Sequence, residues 1–199
     1  MSDVRRRPTQ ARARDTVARI VATAREILAT EGPAAFNTNH IARAAGVSVG
    51  SLYDYFPNKQ AIVRHLIEDL AGEETDAILE RFAQLEHAPL ARTIDDLVAL
   101  TYRLYQRNVG IYRVLWAMST DEREVGQRRG EQMIALELRR RLRLAGIPEP
   151  DLTAFTCFHL VESLTGRMLE QGERWDHDAR VREICRVVHR YLGLAEGLE

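Results

Sequence analysis

Along this 199-residue chain, apolar side chains recur every three or four positions, and nowhere do they alternate with polar ones as a half-buried strand requires. That feature confines the chain to an all-α fold, because each helix must cover its apolar stripe with another helix. Glycine and proline then mark where the chain turns. Val17, Ile20, Val21, Ala24, Ile27 and Leu28 make the stripe of a first helix, which Gly32-Pro33 ends. A short second helix is expected from about Thr38 to Ala45, capped by Asn37 or Thr38. Gly46 supplies a residue that takes positive φ, and Ser48 caps a third short helix reaching about Phe56. Pro57-Asn58 precedes a long fourth helix from Lys59 to about Leu85.

Beyond His87-Ala88-Pro89 the periodicity predicts helices over Leu90 to Asn108, Ile111 to Met118 and Asp121 to Ala145. Gly110, a Ser119-Thr120 cap and Gly146-Ile147-Pro148 punctuate them. Two final helices, about Asp151 to Gln171 and Asp178 to Leu192, are joined by a turn short enough to favour an antiparallel hairpin. The total is about nine helices.

The net charge of −1 conceals an asymmetry. Residues 1–59 hold 9 Arg and Lys against 5 Asp and Glu, a balance of +4, whereas residues 60–199 hold 19 against 24, a balance of −5. A basic tip on an acidic body suits contact with a polyanion through one end only. No apolar run approaches the roughly 20 residues that cross a bilayer, so no membrane partner is expected. Met1 to Arg14 reads as a basic polar arm rather than an export signal, and a cytoplasmic location follows. Cys157 and Cys185 sit within apolar helical patterns, as buried thiols in a reducing compartment would.

The informative stretch is TNHIARAAGVSVGSLYDYFPNK, Thr38 to Lys59. Two short helices around a glycine-containing turn form a helix-turn-helix, whose second helix enters the major groove of DNA. Ile41, Ala44, Val47, Leu52 and Phe56 are the expected inward residues, with Ala45 and Gly46 keeping the crossing close. On a wheel of 100° per residue, Leu52 and Phe56 share one face of the third helix, which turns Gly50 and Asp54 outward with Ser51 and Tyr53 at the flanks. Hydroxyls at Ser48, Ser51, Tyr53 and Tyr55 suit phosphates or base edges, and Lys59 stands in the first turn of the fourth helix, where a phosphate would be met.

At these residues the sequence resembles the TetR family of transcription regulators. The family's pattern of T-x-x-I-A, a small-Gly turn, G-[ST]-L-Y-x-[YH]-F and a Lys three residues later is matched almost throughout, over about Val17 to Leu66. The resemblance implies phosphate contacts from Thr38, Tyr53, Tyr55 and Lys59, and base or groove contacts from Asn39, Ser48, Val49, Gly50 and Ser51. Two positions depart from the pattern's usual chemistry. Val49 occupies a position often basic in the family, which makes a thymine methyl a plausible apolar target. Asp54 either accepts from a cytosine amino group or is turned aside and lowers non-specific affinity. Arg5, Arg6, Arg7, Arg12 and Arg14 either reach the minor groove or backbone, as basic arms do, or form a solvated tail.

The expected organisation is a flexible basic arm (1–13), a three-helix DNA-binding domain (14–60) with the helix-turn-helix at about 37–56, and a larger helical domain (61–199) for effector binding and dimerisation. A dimer is expected because one helix-turn-helix reads few base pairs and two-fold symmetry doubles the site into a near-palindromic operator. Stripes on the last two helices point to Phe158, Val161, Thr165, Val188, Tyr191 and Leu192 as an interface, although such stripes also suit a protomer's own core. The resemblance adds a four-helix bundle built from these helices, and ligand-released repression.

Aromatic density between Tyr102 and Trp116 suggests an effector pocket from Tyr102, Tyr105, Tyr112, Trp116, Met133, Phe155, His159 and Glu162, each of which also suits core packing. The effector is expected to be a small molecule. No cofactor, metal or catalytic residue is expected: no nucleophile–base pair, phosphate-binding glycine loop or metal cluster is legible, which weighs against a helical enzyme. A protein-binding adaptor would leave the basic tip and the Tyr53, Tyr55 and Lys59 set without a purpose.

Overall fold

The computed structural model describes the backbone at 11–116 and 120–194, and the side chains within those ranges other than 11, 115–116, 120–129 and 173. Arg5 to Arg7, Met118, the Ser119 cap and the Trp116 side chain lie outside the described residues. Among the described residues every regular element is helical. The α-helices are α1 (Ala11–Thr30), α2 (Thr38–Ala44), α3 (Val49–Tyr55), α4 (Lys59–Gln84), α5 (Leu90–Arg107), α6 (Val109–Trp116), α7 (Thr120–Leu144), α8 (Pro150–Glu170) and α9 (His177–Leu192). Two 3-10 turns, Pro33–Ala35 and Gly172–Arg174, complete the set. No described helix is long and apolar enough to cross a membrane.

The chain forms two compact units that do not follow chain order. One comprises residues up to Ala71 together with Asn108–Gln127, and the other comprises Gly72–Arg107 with Arg128 onward. The long α4 contributes residues to both.

In the first unit α1 packs on α2 and α6, and α2 packs on α3. Ile20, Ile41, Leu52, Phe56 and Ile62 are fully buried there. The inward face of α2 falls on Ile41, Ala42 and Ala45, all buried, whereas Ala44 is exposed. The expectation for Ala44 fails because α2 places 41, 42 and 45 on one arc, with 44 beyond its edge.

Gly110 does not punctuate the chain as expected. It lies in the first turn of α6 against the last turn of α1, where a Cβ would stand 2.2 Å from the Leu28 carbonyl oxygen and 2.9 Å from its carbon. Only a residue without a side chain lets these two backbones meet.

In the second unit α5 packs against both α8 and α9, which also pack on each other. Tyr102, Leu142, Ile184 and Val188 are among its most buried side chains. Cys157 and Cys185 are both buried and free, as expected. Burial pushes their thiols up to about 11 and about 12, the second also raised by Asp95.

Two buried arginines satisfy helix ends, whose last carbonyls lack partners within the helix. Arg141 donates to the carbonyls of Phe82 (2.6 Å), Leu85 (2.8 Å) and Glu86 (2.8 Å) at the end of α4, and its Nε donates to Glu137 (3.2 Å). Arg180 donates to the Tyr102 hydroxyl (2.9 Å) and to the Gly172 carbonyl just past α8.

Candidate nucleic-acid interface

Local capping sets the helix-turn-helix. The Asn37 side chain accepts from the His40 amide at 2.9 Å and starts α2, while Ser48 accepts from the Ser51 amide at 3.0 Å and starts α3. Between them Gly46 has φ 65°, the left-handed conformation that ends α2 and turns the chain. With Leu52 and Phe56 fully buried, α3 is locked in rotation about its axis, and its opposite face is open to solvent.

That face and its margins carry the residues expected to meet DNA. Asn39, Ser48, Gly50, Asp54 and Lys59 are exposed, Val49 is 39% exposed and Tyr53 40% exposed, and Thr38, Ser51 and Tyr55 are half-buried. The Thr38 and Tyr53 hydroxyls lie 3.1 Å apart in a hydrogen bond between the start of α2 and the middle of α3. Ser48 and Ser51 are paired in the same way, 2.8 Å apart. The nearest atom to a Cβ at Gly50 is the Ser48 hydroxyl at 3.8 Å, so this glycine keeps the surface low without being sterically required.

A chain of contacts beside this face was not anticipated from sequence. Glu31 Oε1 meets His40 Nε2 at 3.1 Å, and His40 Nδ1 meets Arg43 Nη2 at 3.0 Å. A ring protonated on Nε2 donates to Glu31 and accepts from Arg43, satisfying both. The i, i+3 spacing of His40 and Arg43 was a legible signal, but the partnership with Glu31 depends on how α1 and α2 pack.

Residues expected to form the effector pocket divide. Tyr105 donates to Glu162 at 3.0 Å, and His159 lies 3.7 Å from Glu162 and 3.2 Å from Glu131. The Phe155 and Phe158 rings pack edge-on against His159, with centroids 4.3 and 5.3 Å away. Burial raises the Glu162 carboxyl above its ordinary 4.5, against the Tyr105 hydrogen bond that lowers it. Beside this cluster α7 and α8 enclose a groove of about 310 Å³ whose walls include Glu131, Leu136, Arg139, Phe155 and Phe158. Glu131 escaped notice in the sequence because nothing local marks it.

Tyr102 is fully buried, with its hydroxyl taken by Arg180, and Met133 is 42% exposed. Tyr112 is buried and belongs to the first unit, with α6.

The expected dimer residues divide too. Tyr191 is exposed and Phe158 and Val161 are half-buried, whereas Thr165, Val188 and Leu192 are buried inside the protomer. α8 and α9, which carry these three, pack on each other and on α5.

A profile described as bacterial regulatory proteins, tetR family, matches residues 20–66, and one described as tetracyclin repressor-like, C-terminal domain, matches residues 89–192. No curated protein matches the chain significantly. Among solved structures, RolR in complex with resorcinol is similar at TM-score 0.70 and 18% identity, over 92% of this chain and 90% of that one. A TetR-family regulator from Mesorhizobium loti MAFF303099 is similar at TM-score 0.68 and 18% identity, over 92% and 98%. FadR from Bacillus subtilis in complex with stearoyl-CoA is similar at TM-score 0.66 and 17% identity, over 92% and 99%. At such identities the structural likeness is one of fold. The C-terminal profile alone spans more than half of the chain, the N-terminal profile covers the helix-turn-helix, and the chain belongs to the TetR family of bacterial transcription regulators.

Proposed function

We propose that this protein is a DNA-binding repressor that reads a near-palindromic operator as a homodimer and is released by a small-molecule effector. One observation carries the DNA-binding part. The exposed face of α3, held by Leu52 and Phe56, gathers the hydrogen-bonded Thr38 and Tyr53 hydroxyls, the Ser48–Ser51 pair, Val49 and Gly50 on one surface, with Lys59 just beyond it. Prepaired hydroxyls meet a phosphate with little further loss of side-chain freedom, and Lys59 adds a charge that releases counterions from DNA. Asn39, Ser48, Val49, Gly50 and Ser51 face the bases in this reading, while Thr38, Tyr53, Tyr55 and Lys59 hold the backbone.

The dimer uses the outward sides of α8 and α9, with Tyr191, Phe158 and Val161 at the contact. The effector site is the Tyr105–Glu162–His159 cluster with Phe155 and the adjoining groove. The complexes of RolR with resorcinol and FadR with stearoyl-CoA support effector binding by a domain of this fold. An effector that binds better to a conformation with mismatched recognition helices lowers operator affinity through linkage. In this reading the division expected at 13 and 60 moves: α1 already begins at Ala11, DNA binding belongs to the unit that runs to Ala71 and includes Asn108–Gln127, and effector binding and dimerisation belong to the unit of Gly72–Arg107 with Arg128 onward. The test is a mobility shift with DNA from the gene's own upstream region, using wild type, Tyr53→Ala and Lys59→Ala. Weaker binding by both variants and a steep salt dependence in wild type are expected; equal binding by all three proteins overturns the assignment.

A further inference from the structure

The polar groups on the outer surface of the helix-turn-helix differ in how they are engaged. Thr38 and Tyr53 bond to each other, Ser48 bonds to Ser51, and His40 and Arg43 bond within their own chain of contacts. Asp54 stands apart. It is exposed, lies on α3 diametrically opposite the fully buried Leu52 and Phe56, and has no hydrogen-bond or ion-pair partner among the described residues. One turn before it on the same face is Gly50, whose missing side chain leaves open space except for the Ser48 hydroxyl.

Among the described residues nothing neutralises this carboxylate or turns it aside. A protein seated on DNA by α3 therefore brings an unpaired negative charge toward a polyanion, which costs affinity at every sequence unless a base supplies a donor. An ionised carboxylate only accepts hydrogen bonds. In the major groove the donors are the amino groups of cytosine and adenine. Adenine's amino group adjoins the N7 acceptor, which repels a carboxylate, whereas cytosine's adjoins a C–H.

Building on the DNA-binding function proposed above, we infer that Asp54 is a specificity-determining residue that selects a cytosine at one position of each operator half-site. It works by exclusion as much as attraction: guanine and thymine present only acceptors there, and adenine presents one beside its donor. The same geometry makes the amide variant a switch, since asparagine pairs bidentately with adenine N6 and N7.

Selection of bound duplexes from a random-sequence library, run in parallel on wild type, Asp54→Asn and Asp54→Ala, tests this. Asp54 makes no polar contact among the described residues, so unchanged thermal midpoints are expected and serve as the folding control. Wild type is expected to enrich a symmetric motif with one cytosine that Asp54→Asn replaces by adenine and Asp54→Ala leaves undetermined, the rest of the motif being kept. On single duplexes, replacing that cytosine is expected to weaken wild type at least about fivefold, and Asp54→Ala far less. If both variants enrich the wild-type motif with uniformly higher affinity, the carboxylate only repels and the inference fails while the DNA-binding function stands. If wild type enriches no motif and its binding is insensitive to salt, that function fails and the inference with it.

Discussion

Gly110 and Gly72 offer the same substitution with opposite expected signs. Replacing glycine by alanine inside a helix gains about 1 kcal/mol, because alanine loses less backbone freedom on folding. Gly72, within α4, has nothing within 4 Å of the place a Cβ would take, so Gly72→Ala is expected to keep that full gain. At Gly110 the new Cβ falls 2.2 Å from the Leu28 carbonyl oxygen, roughly 1 Å inside ordinary carbon–oxygen contact. The obstacle is backbone in the last turn of α1 and cannot rotate away, so α6 must lift from α1. Overpacking of this kind costs about 1–3 kcal/mol, which leaves Gly110→Ala destabilised by up to about 2 kcal/mol after the helical gain. For a chain of this length each kcal/mol moves the melting midpoint by about 2–4 °C. Paired thermal melts of the two variants against wild type, read by helical circular dichroism, measure both signs. A Gly110→Ala midpoint raised as far above wild type as that of Gly72→Ala would refute the close α1–α6 contact.

Arg141→Ala is expected to cost about 3 kcal/mol in urea unfolding, since it strips the carbonyls at the end of α4 of their donor and removes one partner of Glu137; a loss within error of zero would mean that water serves those carbonyls equally well. Glu162 tests burial through pH. Its folded-state value is raised, so its favourable contribution is complete below the ordinary 4.5 and is lost as pH rises through the folded value. Glu162→Gln keeps an acceptor for Tyr105 and is expected to flatten that decline and raise stability at neutral pH, and urea midpoints across a pH series that decline as steeply as wild type would contradict it. Cys157 and Cys185, with thiols pushed up to about 11 and about 12, are expected to resist a thiol reagent at neutral pH until denaturant is added. Full labelling of the native protein on mixing would show that they are accessible.

Local physics explains why so much of the first unit was legible. Helix ends follow from caps whose partners lie three positions on and from residues that tolerate positive φ, so Asn37, Gly46 and Ser48 act where the sequence indicates. The inner face of α3 follows from the spacing of Leu52 and Phe56 alone. Periodicity was weaker at α2, where alanines at 42, 44 and 45 are alike in hydrophobicity and only packing against α1 and α3 decides which are covered. It failed at Gly110, because glycine has two uses that a sequence does not separate: ending a helix, or letting another backbone approach one.

The second unit shows the same boundary more sharply. From the sequence alone came the helical class, the helix-turn-helix with its outward residues, the buried cysteines and the family. Tertiary structure decided which aromatics converge: Tyr105 meets Glu162 across 57 positions while Tyr102 spends its hydroxyl on Arg180. It also decided that Thr165, Val188 and Leu192 face the protomer's own core while Tyr191 remains exposed. A stripe at helical spacing states that a face will be buried, but the partner that buries it lies far along the chain. Only the packing of α5, α8 and α9 selects between the protomer's interior and a surface left for something else.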